Sequence, residues 1–237
     1  MARFIFNASA FGIGGHITRP FDQYIDTQAA CVLPSTGGRA SACAPALRLK
    51  DPDSGRLVLS FDQIETSIRG EEGPVGNFAT IVSTTIVNFN VLDTFKADAV
   101  TCRYTLNYDL KNKRVTIDAD GSQFYNLTIY GEPIDLSLDY AMAQDAADFK
   151  AFKKKHPEFK ESKGKINYTL ARGKNIKNEG DDYGFINVPD FGRVYFAEWT
   201  AAEDTQSLTM FRMELGSPVG GKVSGGSGNG NGSSYPP

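Results

Sequence analysis

The residues that could do chemistry are thinly spread along this chain. His16 and His156 are its two histidines, one beside a glycine turn and the other at the end of a helical pattern. Serine or cysteine hydrolysis needs a nucleophile and a base that meet in space, and the spacing offers no such pair. The 28 acidic residues could still assemble paired carboxylates of the kind that cleave glycosidic bonds. Glu198 is the best placed, because it lies on a strand pattern beside Trp199, the sole tryptophan. An acid next to a large ring is the pattern of a sugar-binding face, so Glu198 and Trp199 are the candidate ligand residues, although alternation turns Glu198 to water. Asp51-x-Asp53 and Asp118-x-Asp120-Gly121 each offer oxygens to calcium without continuing into a full EF-hand loop. Hairpin turns are expected at both places. Asp118 and Asp120 are kept as candidate calcium ligands, and no other cofactor is indicated. Cys31, Cys43 and Cys102 form no CxxC pair and have no histidine nearby, which argues against zinc. They read as buried thiols used as small apolar residues, with Cys31 and Cys43 able to meet across the turn Thr36-Gly37-Gly38.

The elements that must carry these residues are mostly strands. Tyr104, Leu106, Tyr108 and Leu110 alternate with polar neighbours, and Val115, Ile117 and Ala119 resume the pattern after a Lys-Asn-Lys-Arg turn. A period of two sends alternate side chains to opposite faces, so this is a hairpin with one dry face and one wet face. The same texture recurs over 56–69, 78–91, 124–130, 183–188, 192–200 and 207–215. Asp51-Pro52-Asp53-Ser54-Gly55, Glu71-Glu72-Gly73-Pro74 and Gly131-Glu132-Pro133 punctuate it as turns. Phe11-Gly12-Ile13-Gly14-Gly15 reads as a turn or bulge, since it lacks the context of a phosphate-cradling loop. One stretch breaks the habit. Residues 139–156 hold no glycine or proline, and Met142, Ala146, Phe149 and Phe152 fall three to four apart. That predicts one helix, ended by Pro157, with acids early and lysines late as the helix dipole prefers.

Composition bounds the rest. With 237 residues, 41% of them hydrophobic, the chain can bury one sizeable core. A net charge of −3 lacks the basic excess of a nucleic-acid binder. No apolar run is long enough for a membrane-spanning helix. Met1 to Asn7 reads as the start of a first strand and shows no recognisable signal peptide. Residues 217–237 are rich in Gly, Ser and Asn, a composition expected to form a flexible arm. Its closing Tyr235, Pro236 and Pro237 are candidate contacts in an assembly.

The segments Ile86–Val100, Gly121–Ile134, Ile186–Phe196 and Leu208–Gly216 together resemble bacterial proteins akin to the "choice-of-anchor P" type of predicted surface β-proteins. The block Gly14–Gly38 is similar to the N-terminal part of that group. The resemblance implies an extracellular or cell-surface β-protein and carries over no catalytic residue. The sequence therefore predicts one mainly-β domain over residues 1–216, an antiparallel sandwich with one accessory helix, followed by the tail. The expected role is a non-enzymatic structural or self-assembling protein, a homo-oligomer joined by strand edges or by its arm. A carbohydrate- or ligand-binding module and a carboxylate-dependent hydrolase are the alternatives.

Overall fold

The alternating segments fold as antiparallel strands, and their dry faces meet between two sheets. The computed structural model describes residues 3–19, 21–112, 114–202, 205–216 and 220–235. The chain begins with β1 (Arg3–Arg19), β2 (Gln23–Gln28), β3 (Cys31–Val32), β4 (Gly38–Ala44), β5 (Leu47–Lys50) and β6 (Leu57–Phe61). Three long strands follow, β7 (Gln63–Glu72), β8 (Asn77–Val91) and β9 (Phe95–Asp109), then β10 (Arg114–Asp118). Short pieces come next: β11 (Gln123–Tyr125), β12 (Thr128–Ile129), β13 (Glu132–Pro133) and β14 (Ser137–Leu138). Helices α1 (Tyr140–Asp145) and α2 (Phe149–Lys155) precede β15 (Glu161–Ser162), β16 (Lys165–Thr169), β17 (Ala171–Arg172) and β18 (Lys177–Glu179). The chain closes with β19 (Asp182–Val188), β20 (Gly192–Ala202), β21 (Gln206–Leu215) and β22 (Gly220–Tyr235).

One ten-stranded sheet runs β15-β16-β20-β21-β22-β1-β2, with β19 on β20, β18 on β19 and β3 on β1. The other ten-stranded sheet runs β13-β12-β9-β8-β6-β5, with β10 and β11 on β9 and β7 and β4 beyond β8. We call them the first and second sheets. The hairpin expected at Tyr104–Ala119 is β9 and β10, with Leu106 opposite Ile117 and Tyr108 opposite Val115. The core lies between the sheets. Phe89 stacks on Phe211 at 4.7 Å, and Trp199 meets Tyr104 edge to face at 5.7 Å.

The Gly/Ser/Asn segment departs from the expectation of a free arm. Gly220–Tyr235 is a strand in the interior of the first sheet, paired along its length with β1 and over much of its length with β21. Its composition cannot bury a core by itself, but here the partner sheet supplies the bulk. A Cβ added at Gly228 would lie 2.4 Å from Val82 Cγ1, and one at Gly230 would lie 2.8 Å from Leu106 Cδ1. Glycine at these inward positions is what lets large side chains of the second sheet reach the backbone. Pro236 and Pro237 lie outside the described residues, and nothing is assigned to the Tyr235 side chain.

Two further expectations change. The single helix over 139–156 is two, because Asp148 leaves the helix and caps a new one. Its Oδ1 accepts from the Ala151 N–H at 2.9 Å, as Asp139 does for Met142 at 3.3 Å. Short side-chain acceptors compete with helical bonding in just this way. The glycines near Phe11 do not interrupt β1 but mark an irregular register between Ile13 and Gly15 against β2. All three cysteines are free, and Cys43 is exposed on β4 while Cys31 and Cys102 are buried. Cys43 is therefore no core thiol.

The core also contains hydroxyls without partners. Thr80 Oγ1, Thr84 Oγ1 and Tyr104 Oη are buried with no hydrogen bond among the described residues. Burial raises the Tyr104 pKa well above its ordinary value of 10.0, with minor contributions from Cys102 and Tyr108. Two core substitutions should therefore act in opposite directions. Gly228→Val should cost about 2–3 kcal/mol by overpacking against Val82, whereas Thr84→Val should be neutral or stabilising by up to about 1 kcal/mol. Urea denaturation of both variants checks this, and destabilisation by Thr84→Val would show that its hydroxyl has a partner.

Candidate functional site

The densest set of charged and aromatic side chains lies on the outer face of the first sheet. Register puts Phe185, Tyr195 and Arg212 in one row across β19, β20 and β21, and Asn187, Arg193, Glu214 and Lys222 in the next. The Arg212 guanidinium lies 3.6 Å from the Tyr195 ring centroid. It donates through Nε and Nη2 to both oxygens of Glu198, at 2.8 and 2.7 Å, and through Nη1 to Glu214 at 2.7 Å. Arg193 lies 4.3 Å from the Phe185 ring and donates to Asp182 at 2.5 Å and to the Tyr195 hydroxyl at 3.1 Å. Lys222 Nζ completes the set, 3.3 Å from Glu214.

This geometry favours the ionised form of Glu214. Burial pushes the Glu214 carboxyl up, but the Arg212 and Lys222 charges outweigh it, so the net shift is below its ordinary value of 4.5. Burial opposes the Arg212 charge as well, and the bonds from Glu198 and the charge of Glu214 overcome that too. A glycosidase needs one carboxyl raised so that it can hold and give a proton. Here Glu214 is shifted the opposite way, and both oxygens of Glu198 are committed to Arg212. Fork-to-carboxylate pairing over an aromatic ring instead adds side-chain bonds across β20 and β21, which the backbone ladder already joins.

Trp199 is not a surface platform. It is fully buried, and its Nε1–H donates to Gln206 Oε1 at 2.8 Å. Tyr195 is buried as well, whereas Tyr125 and Tyr130 are exposed, as are Tyr24 and Val32. Tyr24 stacks on His16 with the ring centroids 3.8 Å apart.

A groove of about 1320 Å³ runs between β10 and the two helices. Asp118, Asp120, Tyr140, Gln144 and Asp148 line it. The two candidate calcium ligands thus share a wall, but Asp118 Oδ1 accepts from the Asp120 N–H at 2.9 Å and so serves the turn. Asp148 caps α2. Asp145 accepts from Lys155 at 2.5 Å, and that bond lowers its pKa. Among the described residues no three His, Cys, Asp or Glu side chains are grouped to hold a metal. Burial, then the negative charge of Asp120, raises the Tyr140 pKa, and its hydroxyl donates to the Ser122 carbonyl at 2.6 Å.

Missed by sequence reading was the cross-strand set of Arg193, Tyr195, Arg212 and Glu214. Each sits on a strand recognised from its alternation, but only the pairing of β20 with β21 brings them together. No helix among the described residues is long and apolar enough to cross a membrane, which leaves strand-built membrane proteins untouched.

Two ten-stranded antiparallel sheets enclosing a shared core, together with a two-stranded β14–β17 sheet, define a β-sandwich domain. The chain belongs to the family described as a domain of unknown function, DUF8256, whose model matches residues 4–179. That match takes in β1 through β18 and stops before β19–β22. No curated protein and no solved structure matches the chain.

The ion-pair cluster makes a pH prediction. A carboxyl held below its ordinary value contributes stability that is complete above that value and is lost as pH falls through the folded one. Glu214 does so below 4.5. Arg212→Met removes the cause, so the variant should be less stable than the parent at neutral pH, and the gap should narrow as the solution is acidified. Urea midpoints of both proteins from neutrality to below pH 4.5 test this, and a constant gap would remove Arg212 as the source.

Proposed function

We propose that the chain is a non-enzymatic structural subunit that associates through an open edge of its sandwich. The observation that carries this reading is β4. It pairs with β7 over seven consecutive residues without a register shift, and among the described residues no strand lies on its other side. It contains no proline or lysine.

Five other edges carry guards of the usual kinds. On β5, Arg48 and Lys50 accompany a register shift, and a shift also marks β18 beside Lys177. β13 contains Pro133, and β10 faces the two helices across the groove. β2 carries Asp26 and an irregular register against β1. On β4 the single charge of Arg39 is the one such guard, and a regular edge strand is a template for strand addition. β3, paired with β1 in the first sheet, comes close to β4, and its Val32 is 67% exposed.

The reading includes a homo-oligomer, and the surface or extracellular setting that the resemblance to anchored β-proteins implies. A second reading, ligand binding, draws on the groove between β10 and the helices, where acids and an amide lie beside the Tyr140 and Phe149 rings. Sedimentation velocity over a concentration series separates the two. Assembly predicts a rise in sedimentation coefficient with concentration that Ser41→Lys abolishes, because a lysine on an edge blocks pairing. A monomer at every concentration sinks the assembly reading and leaves the groove as the leading feature.

A further inference from the structure

We infer that the occupant of the β4 edge is the β4 strand of a second copy, antiparallel about a twofold axis at Ser41. This rests on the assembly reading and names its seam. The seven residues of β4 are Gly38, Arg39, Ala40, Ser41, Ala42, Cys43 and Ala44. Centring on Ser41 is the register that pairs all seven. It sets Arg39 opposite Cys43 of the second copy, Ala40 opposite Ala42, and Ser41 opposite its own equivalent. Every side chain at the seam except Arg39 is small, so two backbones can approach to ladder distance. Dimers with self-complementary twofold contacts are the commonest soluble assemblies.

Charge decides the register. Within one copy Arg39 lies directly opposite Arg69 across β4 and β7, a like-charged pair that costs stability. Arg69 is engaged by Glu71, whereas Arg39 has no partner among the described residues. Glu65 stands two rows away on the same face of β7, opposite Cys43. It accepts from Gln63 at 2.6 Å but has no cation. The proposed register lines up Glu65, Cys43 and then the arginine from the second copy in one row. Two strand spacings, about 10 Å, separate the two backbones, within the combined reach of a glutamate and an arginine.

Space for that arginine is already present. A trough of about 400 Å³ lies beside β4, lined by Ser41, Cys43, Glu65, Ser67, Ser83 and Thr85. A large residue at position 43 would close it; cysteine leaves it open. The twofold axis makes the contact twice, so each dimer gains two Arg–Glu pairs and parts neither arginine from a partner it had.

The test is a charge swap on the full chain, read by analytical ultracentrifugation. Arg39→Glu and Glu65→Arg should each raise the dimer dissociation constant about tenfold, since each turns two attractions into repulsions. The double variant should restore it. Arg39→Cys adds a second probe. Mild oxidation should join the introduced thiol of one copy to Cys43 of the other, giving a dimer on non-reducing gels that the parent does not form by the same bond. Oligomers that ignore both single substitutions and do not cross-link would overturn this seam while leaving assembly through another surface intact. A strict monomer would overturn both. Circular dichroism of each variant guards against misreading a folding failure as a loss of contact.

Discussion

The rest of this structure depends on the insertion of β22 between β1 and β21. That strand joins the two ends of the chain, with Arg3 opposite Tyr235 and Arg19 opposite Gly220. It is held mainly by backbone hydrogen bonds, because its inward positions are glycines and Val223 is its sole aliphatic residue. The second sheet depends on that emptiness. Val82, Tyr104 and Leu106 project into the space that side chains on β22 would occupy. Ala8 and Ala10 on β1 sit in register with Gly230 and Gly228, continuing the shallow strip. Large residues on one sheet thus pack against small ones on the other, which is how a dense core forms without strain. Contacts between residues this far apart in sequence are costly in loop entropy, a cost that the two hydrogen-bond ladders of β22 offset.

A second constraint is a bend that crosses the first sheet as a line. Ala197 on β20 has φ 46° and Gly226 on β22 has φ 61°. The register skips at Ala197 and Met210 between β20 and β21, at Met210 and Gly226 between β21 and β22, and at Gly226 and Gly12 between β22 and β1. Each strand skips one residue at the same level, so the sheet bends there without a change of register. Asn88, with φ 52°, marks a matching skip against Asp98 in the second sheet. The bend also resets the phase of alternation. Val194 and Phe196 point inward; carried on at a period of two, they would send Glu198 inward and Trp199 out. The bend reverses both, so Trp199 fills the core and Glu198 meets Arg212 on the outside.

These two features explain what could be read from the sequence. The alternation of Tyr104 to Leu110 and of Val115 to Ala119 is local information, and it specified the hairpin and its dry face. The break between α1 and α2 was local as well, written in Asp148, but the apolar stripe from Met142 to Phe152 masked it. The fate of the glycine-rich segment was not local. Glycine runs are disordered by their own physics, and they become strand only where neighbours supply both ladders and bulk. The outer cluster was hidden for the related reason that Arg193, Tyr195, Arg212 and Glu214 lie on two strands whose register no single segment encodes.

The disposition of charge argues for where such a sandwich would join another. On the first sheet Arg193, Arg212 and Lys222 are matched by Asp182, Glu198 and Glu214 within a few ångströms. A face whose charges already satisfy one another gains little from a charged partner, which would have to compete with pairs already made. On the second sheet the pairing is unequal. Arg39 stands opposite a like charge, and Glu65 has only an amide for company. Arg39 lies on the edge strand β4, whose pairing is regular, and Glu65 on the strand next to it. An edge strand offers hydrogen bonds to any extended chain, so affinity alone would not select a partner. The unequal charges do the selecting, because they are relieved only by a strand that brings a cation to Glu65 and an anion to Arg39 in the same register. A second β4 strand, turned about Ser41, meets both conditions at once.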